Sequence, residues 1–242
     1  MLIRRRLGVM TVAENLILTG PDGTEYTFPG VSKVSIRKSG GGRAEYGSGG
    51  GGDFGQLVDR TITAIAATDL EDVTEIGSFA FAGCRRLASI EIPASVTLVG
   101  YGAFIDCSSL RSVTIPDTVE YLGMDSYFFK FGRLFENCSD LQTFSMGELT
   151  YAFLEYAFAD CTYLTSVVLS ARCGRMNGAF SGCSRLMSIT IKNTTPPAQV
   201  DSSTFSGVPS NCLIYVPADS VQAYKTANIW MNRGTYIRAR PT

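Results

Sequence analysis

From Val73 to about Lys192 the chain repeats one unit with variations: Ala-Phe or Leu-Phe, Cys three residues on, Leu three later, then two apolar or β-branched residues in alternation. The copies run Phe81, Cys84, Leu87, Ile90, Ile92; Phe104, Cys107, Leu110, Val113, Ile115; Phe135, Cys138, Leu141, Phe144, Met146; Phe158, Cys161, Leu164, Val167, Leu169; and Phe180, Cys183, Leu186, Ile189, Ile191. Successive cysteines lie 23, 31, 23 and 22 residues apart, so the unit is about 23 residues long and the third copy carries an eight-residue insertion. A fixed period in this range is the signature of a solenoid.

Within each unit, Leu-x-x-Ile-x-Ile reads as one short strand whose alternate side chains enter the core. A single copy cannot fold, because its apolar side stays bare until the next copy stacks about 4.8 Å away as a parallel strand. The later half of the unit supplies more core. Val96 and Val119 stand twelve residues after Cys84 and Cys107, with Val99 and Leu122 three further on. In the fourth copy Cys173 and Met176 occupy the same two places, which accounts for a cysteine outside the Phe-x-x-Cys register.

Recurring Phe, Cys, Leu, paired strand residues and often Pro (Pro93, Pro116) resemble the BspA-like leucine-rich repeats, the treponemal type, over roughly residues 57 to 230. Leu213-Ile-Tyr-Val-Pro217, then Ala218 to Asn228 and Trp230, is similar to that family's usual end. The chain departs from the pattern where copies three to five lack the Pro, where Asn193-Thr-Thr-Pro-Pro197 breaks the last unit, and where Phe205 and Cys212 are seven residues apart. The resemblance implies a leucine-rich repeat solenoid of stacked short parallel strands with irregular or short helical returns, capped C-terminally by a strand and helix. It implies recognition by a repeat surface and carries over no catalytic residue. The expected division is a solenoid over 57–242, with its cap at about 212–242, and a small N-terminal β-rich appendage over 1–56.

The appendage has its own texture. Asn15 to Thr19 and Glu25 to Phe28 flank the turn Gly20-Pro-Asp-Gly23, and Val31 to Arg37 alternates as a third strand. Residues 40–55 read as a glycine-rich loop or linker. Gly47 to Gly52 formally matches a dinucleotide fingerprint but lies in polyglycine without a following helix signal, and Gly42 to Gly47 is followed by Ser48 where a phosphate-binding lysine is needed. Residues 1–56 are therefore taken as an attachment or assembly segment. The start Met1-Leu-Ile-Arg-Arg-Arg6 mimics a signal peptide, but Glu14 and Asn15 interrupt the apolar stretch and it reads as uncleaved.

Composition narrows the chemistry. A net charge of −1 gives no general nucleic-acid footprint, and no run of eighteen apolar residues suggests a membrane span. The seven cysteines read as packed thiols, since equivalent side chains on stacked rungs run parallel into the core rather than toward one another. With no histidine and no zinc-spaced cysteine pair, no metal or other cofactor is expected. The same lack removes Ser-His and Cys-His nucleophile pairs, and no carboxylate pair recurs in a motif, so the chain reads as a non-enzyme. The sequons at Asn137 and Asn193 read as chance matches, the first inside a repeat core, and Arg233, Arg238 and Arg240 as a solvated face.

Two candidate contact surfaces remain. The outward strand positions Ser89 and Glu91, Ser112 and Thr114, Thr143 and Ser145, Ser166 and Val168, Ser188 and Thr190 stack into a hydroxyl-rich face, or are simply β-formers facing water. The insertion Met124 to Phe131 carries Tyr127, Phe128, Phe129 and Phe131, which either anchor a partner or fold back as a local plug. The expected function is a rigid binding or adhesion module for a protein or cell-surface glycan, joined to an assembly partner through 1–56. Its expected setting is a phage virion (tail, fibre or capsid decoration) assembled in the host cytoplasm. The alternatives are a bacterial cell-surface adhesin and an intracellular interaction scaffold.

Overall fold

The computed structural model describes residues 63–70, 73–125 and 130–241, together with the backbone of four short strands nearer the amino terminus. Those four form two antiparallel hairpins. β1 (Leu16–Thr19) pairs with β2 (Glu25–Phe28), and β3 (Val34–Arg37) with β4 (Arg43–Tyr46). The last of these lies within the stretch expected to be a glycine-rich loop. Arg43 to Tyr46 are four successive non-glycine residues there, enough for one short strand.

The repeats build a solenoid with two parallel sheets, not the single strand per unit that the sequence suggested. The main sheet runs from β5 (Ala64–Ile65) through β7 (Ser89–Ile90), β9 (Ser112–Ile115), β13 (Thr143–Met146), β15 (Ser166–Leu169), β17 (Ser188–Ile191) and β18 (Leu213–Val216) to β19 (Ile237–Ala239). On the return path a second sheet joins β6 (Glu75–Ile76), β8 (Leu98–Val99), β10 (Tyr121–Leu122), β14 (Tyr151–Ala152) and β16 (Arg172–Cys173). Two-residue strands are too short to show a period of two, but their inward residues are the expected core positions. Val99, Leu122, Val96, Val119, Cys173 and Met176 are all buried, but Cys173 lies in register with Val99, Leu122 and Ala152 rather than at the Val96 position expected for it, which Thr150 and Ser170 continue after Val119. The insertion is a third element: β11 (Met124–Asp125) and β12 (Lys130–Phe131) pair antiparallel as a hairpin rising from the third rung.

Between the second sheet and the next main strand lies an arc holding the Phe-x-x-Cys-x-x-Leu signature. Phe81, Phe104, Phe135, Phe158 and Phe180 are fully buried and stack face to face along the axis, with centroids 5.3 to 5.7 Å apart. Truncating one to Ala opens a cavity between two others, a loss of about 3–5 kcal/mol. Four cysteines reach back one rung: Cys107, Cys138, Cys161 and Cys183 donate S–H to the carbonyl oxygens of Phe81, Phe104, Phe135 and Phe158 at 3.0, 3.1, 3.0 and 3.0 Å. All seven cysteines are free and buried.

The arc turns sharply because two columns of residues are left-handed. Gly83, Asp106, Asn137, Asp160, Gly182 and Gly207, with φ between 59° and 78°, form one column. That explains why Gly, Asp or Asn precedes each Phe-linked cysteine, these being the residues that tolerate this conformation. Phe79, Gly102, Arg133, Tyr156 and Gly178 form the other. Here a ring on one rung lies over glycine on the next, and a Cβ on Gly178 would collide with the Tyr156 ring.

The carboxyl-terminal cap closes the last rung with side chains. Asn193 accepts from Cys173 N and donates to Cys173 O, so its amide stands in for a further strand beside β16. Tyr224, on helix α1 (Val221–Thr226), donates to Asn193 O at 3.2 Å, and Trp230 Nε1 donates to Pro197 O at 3.3 Å. Arg233 is half-buried rather than on a solvated face, because its guanidinium donates to the carbonyls of Pro209, Phe205 and Val208 at 2.7, 3.1 and 3.2 Å. Arg238 and Arg240 are exposed as expected. Asn137, placed inside a repeat core by the sequence, is itself exposed and bonds Asp106, while Asn193 is buried.

Candidate functional site

The main sheet places the expected hydroxyls in register. Ser112 lies beside Thr143 and Thr143 beside Ser166, while Thr114 lies beside Ser145. Ser112, Thr114 and Thr143 are exposed, Ser145 and Ser166 half-buried, and Ser145 Oγ donates to Thr114 Oγ1 at 3.3 Å. This face offers neutral donors and acceptors without a large apolar group on its central rungs.

In the insertion, Tyr127, Phe128 and Phe129 lie outside the described residues, while Phe131 is placed on the array itself. Its ring packs on Phe153 with centroids 4.6 Å apart, and the Arg175 guanidinium lies 4.7 Å from its centre. Lys130 sits 5.8 Å over the Tyr101 ring, so β12 is braced from both neighbouring rungs. Gly132 donates to Gly123 O at 2.7 Å and closes the hairpin base. A side chain on Gly132 would strike the Glu155 backbone. Around this base Arg133 pairs with Glu136 at 2.7 Å and Arg175 with Glu155 at 3.7 Å. Burial raises the Tyr101 hydroxyl above its ordinary range, against the opposing pull of Arg133.

A third surface escapes sequence reading. The outward residues of the second sheet include Leu98, Tyr121, Tyr151 and Arg172, one on each successive rung. Tyr121 and Tyr151 stack with centroids 5.8 Å apart at 17°, and the Arg172 guanidinium lies 4.6 Å over the far face of this pair, on Tyr151. Leu149, two residues before Tyr151, is 63% exposed, and Tyr121 and Tyr151 are 38% and 46% exposed. The signal was present, since each residue directly precedes a core position of the unit (Val99, Leu122, Ala152, Cys173), but a two-residue strand gives no alternation to reveal it.

The exposed large apolar side chains are unevenly spread. Tyr121, Leu149, Tyr151, Tyr156, Tyr163, Met187 and Met231 all lie at or after the third rung, whereas the described first two rungs show none. Among the described residues no cluster of His, Cys, Asp or Glu could hold a metal ion, and no helix is long and apolar enough to cross a membrane. What the second-sheet face can do chemically is make contact: ring edges, phenol hydroxyls, a leucine and a cation on a rigid support.

A family model described as the BspA type leucine rich repeat region matches residues 61–133 and 132–225, in six copies. No curated protein matches the chain. Among solved structures it is similar to a leucine rich repeat protein of T. pallidum, at 22% identity and TM-score 0.41 over 54% of this chain and 66% of that one. It is also similar to a leucine-rich repeat protein from Eubacterium ventriosum, at 23% and 0.46 over 61% and 43%. A third, from Bacteroides ovatus, gives 21% and 0.36 over 86% and 55%. The chain thus spans 43% to 66% of the length of these three proteins.

Proposed function

This chain belongs to the BspA-type leucine-rich repeat family, and we propose that it is a non-enzymatic binding module that engages a protein or glycan through the outward face of its second sheet. The observation that carries this is the cluster of Tyr121, Leu149, Tyr151 and Arg172 on adjacent rungs. An exposed apolar group with tyrosine and arginine at its centre has the composition of a contact hot spot. Backbone pairing on both sides holds it still, which lowers the ordering cost of binding.

The test is capture by the immobilised full chain from a panel of extracellular proteins and a glycan array. Replacing Tyr121 and Tyr151 with Ser should abolish capture with little change in melting. A second variant with residues 124–131 replaced by a Gly-Ser link separates the hairpin from the sheet face. If only that variant loses binding, the hairpin is the site. If neither does, the second-sheet reading is wrong.

In the same proposal residues 1–56 attach the module to an assembly partner, on a phage virion or, alternatively, at a bacterial cell surface. Mass spectrometry of purified particles and of cell-envelope fractions distinguishes the two settings. Light scattering on the chain with and without residues 1–56 tests the attachment role, which fails if both are monomers and neither recruits a particle or envelope protein.

A further inference from the structure

The geometry points to the chemical class of the partner: we infer that the second-sheet face takes a polypeptide that presents a carboxylate side chain to Arg172, with an apolar side chain beside it on Leu149 and the tyrosine edges. This deepens the proposed binding role and rests on it. A saccharide binds an aromatic platform by laying its C–H groups on an open ring face. The faces here are occupied, since Tyr121 and Tyr151 cover one another, Arg172 covers the far side of Tyr151, and Leu98 stands beside Tyr121 on the preceding rung. What remains for a partner is ring edges and hydroxyls, suited to the mixed apolar and polar surface of a protein chain.

The charge requirement comes from Arg172. Its guanidinium is exposed and stacked, yet no described carboxylate pairs with it. Its neighbours differ: Arg133 and Arg175 are engaged by Glu136 and Glu155, and Glu148, next to Leu149, is held by Lys192 at 3.0 Å. A planar guanidinium held over Tyr151 and open to solvent is the kind of group that takes a carboxylate through two parallel hydrogen bonds. The contacts among Tyr121, Tyr151 and Arg172 lower the side-chain ordering that binding would otherwise require.

Two probes test this on the full chain: a random linear peptide library, and an array of neutral, uronic-acid and sialylated glycans. The expected result is enrichment of peptides with Asp or Glu adjoining an apolar residue, whose binding weakens about 10- to 100-fold in Arg172→Ala, the range of a lost charge-assisted hydrogen bond. Arg172→Lys should not restore it, because an ammonium cannot offer the planar pair. Arg172→Gln provides a second variant that keeps side-chain length, and unchanged melting of all three certifies the fold. Peptides without an acidic residue, or acidic peptides indifferent to Arg172, overturn the inference. Glycan binding lost on Tyr151→Ser overturns the polypeptide class and leaves the binding face standing. Absence of any ligand sensitive to Tyr151 or Arg172 in both arms overturns the inference and the proposed function together.

Discussion

Cys138 donates its thiol proton to the carbonyl oxygen of Phe104 on the preceding rung, 3.1 Å away. A thiol so engaged faces along the stack toward backbone, not toward another sulfur, and burial drives its pKa well above the ordinary range. The cysteine ladder is therefore a hydrogen-bonded seam of protonated thiols, and its chemistry should be inert while the protein is folded. Freshly purified protein unfolded without reductant should titrate seven thiols, and native protein few. Recovery of five or fewer after unfolding would show that cross-links form.

The same protons make the fold sensitive to alkali. Burial holds the Cys173 and Cys183 thiols up at about 12, against about 8.5 in an unfolded chain. Between those values the native state keeps protons that the unfolded chain has released. Their contribution is therefore complete below about pH 8.5 and is lost as pH rises toward about 12, by about 1.4 kcal/mol per pH unit for each thiol. Melting temperature should fall from about pH 9 to 11, and Cys173→Val, which places there the residue that Val99 supplies in the same column, should make the fall shallower. A flat profile over that interval would exclude this coupling.

The left-handed column makes a substitution-specific prediction. Asn137 has φ 63° and donates its amide to Asp106 at 2.8 Å. Asn137→Val should cost about 1–2 kcal/mol from backbone conformation alone, while Asn137→Gly should cost less because the strain is absent. Urea unfolding of the pair decides it, and equal losses would mean that the conformation is not what selects the residue.

Arg233 should be the most sensitive cation of the cap. Arg233→Ala removes donors from three carbonyls, of Pro209, Phe205 and Val208, and should lower stability by about 3 kcal/mol. Arg233→Lys should recover only part, since a single ammonium cannot span both sides of that turn. Calorimetry showing Arg233→Ala as stable as the parent would mean that water replaces the guanidinium at no cost.

What could be read from the sequence followed from repetition. Five aligned copies identified Phe81, Cys84, Leu87 and their equivalents as core, because stacking gives equivalent residues equivalent surroundings, but counting from Cys161 set Cys173 at the Val96 position, three residues off, since the return path of that unit is shorter. The second sheet was hidden because two-residue strands carry no pattern, and with it went Tyr121, Tyr151 and Arg172. One left-handed column could be found by comparing Gly83, Asp106, Asn137, Asp160 and Gly182 with one another, whereas the other, with Phe79, Arg133 and Tyr156 in it, has no residue signature. Arg233 was not readable, since its acceptors are backbone oxygens more than twenty residues away in sequence.

The inter-rung hydrogen bonds of the arc share one direction. Phe81 N donates to Ala103 O on the following rung, Phe104 N to Leu134 O, Phe135 N to Ala157 O and Phe158 N to Ala179 O, so these peptide N–H groups point toward the carboxyl-terminal end. Within the arc these aligned peptides sum as they do in a helix, but in the opposite sense, with their positive end toward the carboxyl terminus, while segments outside the arc run the other way, as in Thr97 N to Thr74 O and Gly100 N to Ile76 O. On earlier rungs the N–H groups of Phe79, Gly102, Arg133 and Tyr156 meet carbonyls, whereas that of Gly178 meets the Asp201 carboxylate at 3.2 Å. Partial burial pushes this carboxyl upward, yet hydrogen bonds from Ser203, Gly178 and Thr204 outweigh it and hold the group below its usual range. A full negative charge thus terminates the row of dipoles where their field favours it, doing at the end of a β-solenoid what an acidic residue does at the amino end of an α-helix.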